Sequence, residues 1–218
     1  EIVGATCTEL ALVSARCVRD KQFFCVLGGD HTSAIGTWSG AYEALHHYGD
    51  IGLIWIDAHM DSHTPETTES GRLHGMPLAA LMGYGYPTLT NILSDAPKLK
   101  PQHVVLIGVR SFERGEAELL KRLNVRIYFM EEVQRRGFQS IFNEATTLMR
   151  EKTYVYGISL DLDALDPASI PGVNVPVPDG IDPDDLYAGF STLNHSKDSQ
   201  WIGMEIAEFN AYHDRDHQ

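Results

Sequence analysis

The chain has 218 residues, enough for one substantial core and predicting a single domain. Its 30 acidic residues against 17 basic ones leave a formal net charge of −13, which argues against nucleic acid or an anionic membrane as a partner. No apolar run approaches the roughly 18 residues of a membrane span.

Cys7, Cys17 and Cys25 form no C-x-x-C pair and predict reduced, mostly buried thiols of a cytoplasmic protein. Residues 9–19 carry apolar positions at helical spacing and predict an amphipathic helix. The aromatic-rich run 22–27 ends at Gly28-Gly29 and predicts a strand entering a turn. Asp30-His31-Thr32 follows, then a helix over 33–48 capped by Thr32 or Ser33. The apolar run 51–56 predicts a buried strand that leads into Asp57-Ala58-His59-Met60-Asp61. A short helix is expected over 75–84, with Pro77 in its first turn.

A loop over 85–101 separates this half from a second series of elements. Strands are predicted at 103–107, 125–129, 154–160 and 201–206, and helices at 113–123, 138–150 and 184–193. Asp161-Leu-Asp163 follows the third of these strands and opens a Pro-rich loop; residues 210–218 read as a polar tail. Strands alternate with helices and are mostly continuously apolar. That pattern predicts an α/β fold of three layers, α-β-α, around a mostly parallel sheet.

His31, Asp57/His59/Asp61, Asp161/Asp163 and Glu205/Glu208 all fall at the ends of predicted strands. In a parallel sheet those ends share one edge, where ligand crevices form. If the chain stays extended past 56, positions 57, 59 and 61 project to one side. Two carboxylates and an imidazole beside apolar chain are costly unless a cation or another partner compensates them, and a metal is the simplest compensation. Each piece alone is weak: Asp161-Leu-Asp163 could equally be a sugar-nucleotide transferase D-x-D or solvated acid. An EF-hand is excluded because its sixth position, here Asp166, must be Gly. Together, His31, His59, Asp57, Asp61, Asp161 and Asp163 are too many ligands for one zinc ion. They suit two adjacent divalent ions that activate a water. Oxygen donors with some nitrogen favour Mn²⁺, with other transition ions as alternatives.

Gly28-Gly-Asp-His31, Asp57-Ala-His-Met-Asp61, Ser159-Leu-Asp-Leu-Asp-Ala-Leu-Asp-Pro167 and Glu205-Ile-Ala-Glu208 resemble the four motifs of the ureohydrolases, the arginase and agmatinase enzymes. The resemblance runs from about residue 20 to 210. It implies the arginase-type fold, two Mn²⁺ ions held by the six residues above, and homo-trimers or hexamers. It also implies attack of a metal-bridging hydroxide on a guanidinium carbon, releasing urea. Asp61 would then also accept the hydroxide proton, Glu208 would orient the guanidinium, and His74 would match the arginase proton shuttle. The bland reading of His74 is a helix-start residue bonded to backbone.

The Leu73-His-Gly-Met-Pro77 run after the 64–71 loop is more like arginase than agmatinase, which implies L-arginine as substrate and L-ornithine with urea as products. Thr68 and Ser70 match positions that hold the substrate carboxylate, and Glu113 and Glu116 match acids near its ammonium. The alternative for the two glutamates is a charged first helical turn. Three departures stand out. His63 sits at a substrate-binding position where arginases usually carry Asn; Val175 replaces a usual Thr, and Glu205 a usual Asp. The chain is also shorter than the family norm, as if an opening strand and a closing helix were missing. The departures keep open an amidinohydrolase for agmatine or a guanidino acid, or a catalytically silent homologue with a regulatory role.

His46, His47, His195, His213 and His217 read as solvated, Arg135-Arg136 as a helix-terminal charge pair, and Trp38, Trp55 and Trp201 as core.

Overall fold

The apolar runs 51–56, 104–109 and 155–161 are buried at every position, as strands covered on both faces must be. The computed structural model describes residues 2–193 and 198–214; His195 and His217 lie outside them. Six strands form one sheet: β1 (Phe24–Leu27), β2 (Ile51–Ile56), β3 (Val104–Val109), β4 (Arg126–Phe129), β5 (Val155–Asp161) and β6 (Trp201–Ala207). Their order is β1-β6-β5-β2-β3-β4 and each pairing is parallel.

Alternation along β2 shows how the sheet builds two cores. Leu53 and Trp55 pack with Trp38, Leu78, Leu81 and Leu120 on one face. Ile54 and Ile56 pack with Phe138, Ile141 and Phe142 on the other. The first face is covered by α1 (Ile2–Arg19), α2 (Ser33–Leu45), α3 (Pro77–Leu81) and, beyond the short α4 (Pro87–Thr90), α5 (Arg114–Arg122). The second is covered by α6 (Met130–Arg136), α7 (Phe138–Lys152) and α8 (Pro183–Phe190). These are the three layers that the pattern predicts.

The departures have local causes. α1 begins seven residues before the expected 9–19 helix because small side chains, not a large apolar stripe, make its contacts. A Cβ on Gly40 of α2 would lie 2.2 Å from the Ala11 carbonyl oxygen, so the two helices touch through backbone. α6 was not expected: only Met130 and Val133 of its seven residues are buried, too few to display a period. Its last turn carries Arg135 and Arg136 as expected, and Arg136 pairs with Glu132 and Glu144. The helix expected over 75–84 begins as a 3₁₀ turn, Leu73–Gly75, before α3 starts with Pro77 in its first turn. Of the three cysteines only Cys7 is buried; Cys25 is exposed because β1 is the edge of the sheet.

Candidate metal centre

Chain order explains where the crevice forms. The chain runs outward from β2 through β3 to β4, then returns to β5 on the other flank of β2. Such a reversal leaves a cleft at the carboxyl ends of the two central strands. Asp57 follows β2 and Asp161 closes β5. The register adds depth: Ser159 stands opposite Trp55 on one side and Glu205 on the other.

The six predicted ligands gather there in two overlapping groups. In the first, His31 Nδ1 lies 3.2 Å from Asp57 Oδ2, 3.0 Å from Asp61 Oδ2 and 3.1 Å from Asp161 Oδ2. In the second, His59 Nδ1 lies 3.0 Å from Asp163 Oδ2 and 3.5 Å from Asp57 Oδ1. Asp57 therefore offers one oxygen to each group, the property needed of a carboxylate shared by two ions. The route differs from an extended run of alternating side chains. The strand stops at Ile56, and Asp61 adopts φ +47°, a left-handed conformation uncommon outside Gly. That turn points the Asp61 carbonyl at the start of α3, where it accepts from the N–H groups of Leu78 (3.0 Å) and Ala79 (3.4 Å).

His31 Nδ1 supplies the test of whether a cation fits. The ring is wholly buried and stacked on Trp55 at 4.0 Å, and Nε2 is hydrogen-bonded to Ser159 Oγ at 2.9 Å. Nδ1 itself has no partner in hydrogen-bonding geometry, despite three carboxylate oxygens within 3.2 Å. It points among the oxygens, not at one of them. A ring nitrogen and carboxylate oxygens converging on a common point form a hard donor set that suits a divalent cation.

The electrostatics agree. Burial works against the charged form of each of these groups, so they hold charge only by compensating one another. Burial is the largest influence on Asp61, and together with the neighbouring Asp57 charge it raises the carboxyl to about 7. Burial and nearby aspartates likewise raise Asp161 and Asp163. Asp57 is lowered: burial opposes its charge, but His31 and His59 outweigh it. Burial also opposes charge on His59, yet Asp163 and Asp57 push it up to about 12. Four carboxylates sharing two imidazoles is a site short of positive charge.

Hydrogen bonds from outside the cluster set its orientation. Trp55 Nε1 donates to Asp57 Oδ2 at 2.8 Å, and the Ala58 N–H to Asp163 Oδ1 at 3.3 Å. Glu205, fully buried, accepts from Ser33 Oγ (2.6 Å), Ser159 Oγ (3.2 Å) and Thr37 Oγ1 (3.3 Å). Trp55 is thus more than the core residue its sequence context suggests. Nothing in the strand pattern marks Ser159 or Trp55 as a partner, since both sit inside apolar runs.

Beside the cluster stands a second pair. Glu208, at φ +64°, accepts from the His31 N–H at 3.1 Å and from Asn174 Nδ2 at 3.3 Å, and lies 3.3 Å from His74 Nδ1. Bonding to Glu208 is the largest influence on His74 and raises its pKa. Burial opposes the Glu208 charge, but bonding to His74 and Asn174 outweighs it and lowers that carboxyl. The His74 ring faces a carboxylate, not backbone.

Of the residues matched to substrate recognition, three meet. His63 Nε2 lies 3.1 Å from Glu113 Oε2 and 3.5 Å from Glu116 Oε2, while Nδ1 is hydrogen-bonded to Thr67 Oγ1 at 3.1 Å. Glu113 and Glu116 also form a capping box for α5, so their helix-end role is real as well. Thr68 and Ser70 accept from backbone N–H groups of their own loop, at Gly71 and Arg72. Neither hydroxyl reaches the His63 cluster, whose hydroxyl partner is the neighbouring Thr67.

The comparisons with known proteins follow this geometry. A family model described as Arginase family matches residues 3–218. An arginase of Bacillus caldovelox is 47% identical over 173 residues, covering 79% of this chain, and the chain spans 57% of that relative's length. An arginase of Brevibacillus brevis is 39% identical over 217 residues, 99% of this chain and 70% of the relative. The solved structure of the Bacillus caldovelox arginase superposes with a TM-score of 0.92 at 40% identity, covering 98% of this chain and 70% of that one. Sheet order, the split carboxylate–imidazole cluster and these likenesses agree on one conclusion: the chain belongs to the arginase family.

Proposed function

We propose that the protein is an arginase that holds two Mn²⁺ ions and hydrolyses L-arginine to L-ornithine and urea. The observation that carries this reading is the division of six ligands into two groups that share Asp57, with a buried imidazole nitrogen unpartnered at the centre of one. His31, Asp57, Asp61 and Asp161 would hold one ion, and Asp57, His59 and Asp163 the other. When bound, the ions supply Lewis acidity that makes a water nucleophilic near neutral pH.

The chain's own residues supply the rest. Glu208 is an ionised acceptor fixed by the His31 N–H and Asn174, suited to bind a planar guanidinium through paired N–H groups. Asp61, whose Oδ2 lies 3.0 Å from His31 Nδ1, would also accept the proton of the activated water and pass it to the leaving amine, the role its match to the family implies. His74, whose side chain is 29% exposed, can exchange a proton between solvent and the leaving amine. His63, Glu113 and Glu116 would meet the amino-acid end of the substrate, with Thr68 and Ser70 on the adjoining loop. A cytoplasmic homo-oligomer, trimer or hexamer, belongs to the same reading. The three free cysteines support a reducing compartment, and no helix among the described residues is long and apolar enough to cross a membrane.

A second reading has one observation in its favour. The His63 imidazole already occupies the Glu113 carboxylate, which is then less free for a substrate ammonium. A guanidine without an ammonium, a guanidino acid such as guanidinobutyrate, is the rival substrate that this contact favours, while agmatine keeps the ammonium and lacks only the carboxylate. Urea release from arginine, agmatine and guanidinobutyrate by the Mn²⁺-loaded protein separates the two. Arginine is expected to turn over fastest, and equal or better turnover of guanidinobutyrate or agmatine would reverse the assignment. His74→Ala is expected to lower urea release by about a hundredfold or more while leaving two ions bound. Loss of metal in that variant would remove His74 from the proton-transfer role.

A further inference from the structure

Arg110 stands one residue past β3, outside the cluster, and its guanidinium is given over to main-chain carbonyls. Nη2 donates to the carbonyl oxygens of Asp163 (2.8 Å), Val177 (2.7 Å) and Leu165 (3.4 Å). Nη1 donates to Ala164 (3.1 Å) and Gly108 (3.3 Å), and Nε to Pro178 (2.9 Å). The Arg110 main-chain N–H donates to the Ala58 carbonyl at 2.9 Å. One residue therefore joins the end of β3 to both ligand-bearing segments, 57–59 and 161–165. It also reaches the far limb of the loop that carries Asn174. A planar guanidinium has five N–H donors in a rigid fork, which matches a ring of carbonyls; an ammonium has three on a flexible stem.

Asp163 is where these ties converge. Its carbonyl is held by Arg110, Oδ1 accepts from the Ala58 N–H, and Oδ2 lies 3.0 Å from His59. Asp161, by contrast, is the last residue of β5 and is fixed by strand pairing with Ala207. We propose that Arg110 is a positioning residue for the His59 half of the metal centre, fixing Asp163 against Asp57 and His59 so that the ion beside His59 is retained. The His31 half, held by strand register, depends on it less, its one direct tie to Asp163 being the Asp163 N–H that donates to Asp161 Oδ1 at 2.8 Å. The inference rests on the two-ion reading above.

The test is Mn²⁺ binding to the full-length protein by equilibrium dialysis, with electron paramagnetic resonance of the ion pair and thermal unfolding measured in parallel. The wild-type protein is expected to take up two ions with the spectrum of a coupled pair. Failure at that point overturns the metal reading, and the role of Arg110 with it, before any variant is made. Arg110→Lys keeps the charge and loses the fork; Arg110→Gln loses both. Each is expected to keep one ion at near wild-type affinity and to bind the second about ten- to a hundredfold more weakly, losing the coupled spectrum. Two ions retained by Arg110→Lys would mean that charge alone matters, which overturns the proposal. Equal weakening of both ions would show a general structural role and overturn it too. Hydrogen exchange in the metal-free wild-type protein serves if the variants do not fold. Residues 162–181 are expected to be protected already; protection gained only on adding Mn²⁺ would show that the ion, not Arg110, orders the segment.

Discussion

The two halves of the cluster share Asp57 but are built differently. The His31 half is walled into the sheet: the His31 side chain is 1% exposed, stacked on Trp55 and tied through Ser159 towards Glu205. Strand register holds it, because Trp55, Ser159 and Glu205 face one another across β2, β5 and β6. The His59 half is open. His59 is 22% exposed, and its partner Asp163 belongs to a 3₁₀ turn held by loop hydrogen bonds. The lesson is a division of labour within one site. The deep half is fixed by the same pairing that makes the fold, and the shallow half, whose imidazole is the more exposed of the two, is fixed by a turn and its hydrogen bonds.

The sharpest way to break this comparison is at the shared carboxylate. Asp57→Ala should take the protein from two Mn²⁺ per chain to none, measured by plasma mass spectrometry after dialysis, with urea release below detection. One ion left at full affinity would show that the halves do not share Asp57. Next in size, His31→Asn and His59→Asn should each lose one ion, with crystals soaked in Mn²⁺ showing which. Loss of both ions in either variant would mean that the halves are a single unit. Smaller again, Ser159→Ala removes the hydroxyl partner of His31 and should weaken only the ion beside His31, by about ten- to a hundredfold in a Mn²⁺ titration. Equal weakening at both positions would contradict the separation.

The smallest effect is a titration at His74, which lies outside both halves, against Glu208. His74 should titrate above about 6.5 in the wild-type protein, followed by its ring proton resonances, and return towards that value in Glu208→Gln. Because the folded pKa is the higher one, the stability contributed by the pair is complete below about 6.5 and is lost as pH rises through the raised value. An unchanged midpoint in the variant would separate His74 from Glu208.

The layout of the sheet was legible in the chain because continuous apolar runs of strand length, each followed by polar chemistry, leave few arrangements other than a covered parallel sheet. The convergence of the six candidate ligands was legible for the same reason: acids and histidines at strand ends meet on one edge. Their grouping was not. Residues 57, 59 and 61 diverge into two halves through a turn with Asp61 at positive φ, which no period of hydrophobicity displays. Thr67 as the hydroxyl beside His63, and the departure of Thr68 and Ser70 from that cluster, depend on where one loop touches the start of α5.

Local spacing and side-chain chemistry thus determined which segments are strands and which residues can hold a cation, because both follow from period and donor type. Only the tertiary structure decided that Asp57 faces both groups, that Trp55 and Ser159 bond to candidate ligands, and that Arg110, through its main-chain N–H and its guanidinium, binds carbonyls of both segments that carry them. Those facts depend on register and loop path, which bring Ser159 to His31 and Asp163 to Arg110 by forces that act across the chain and not along it.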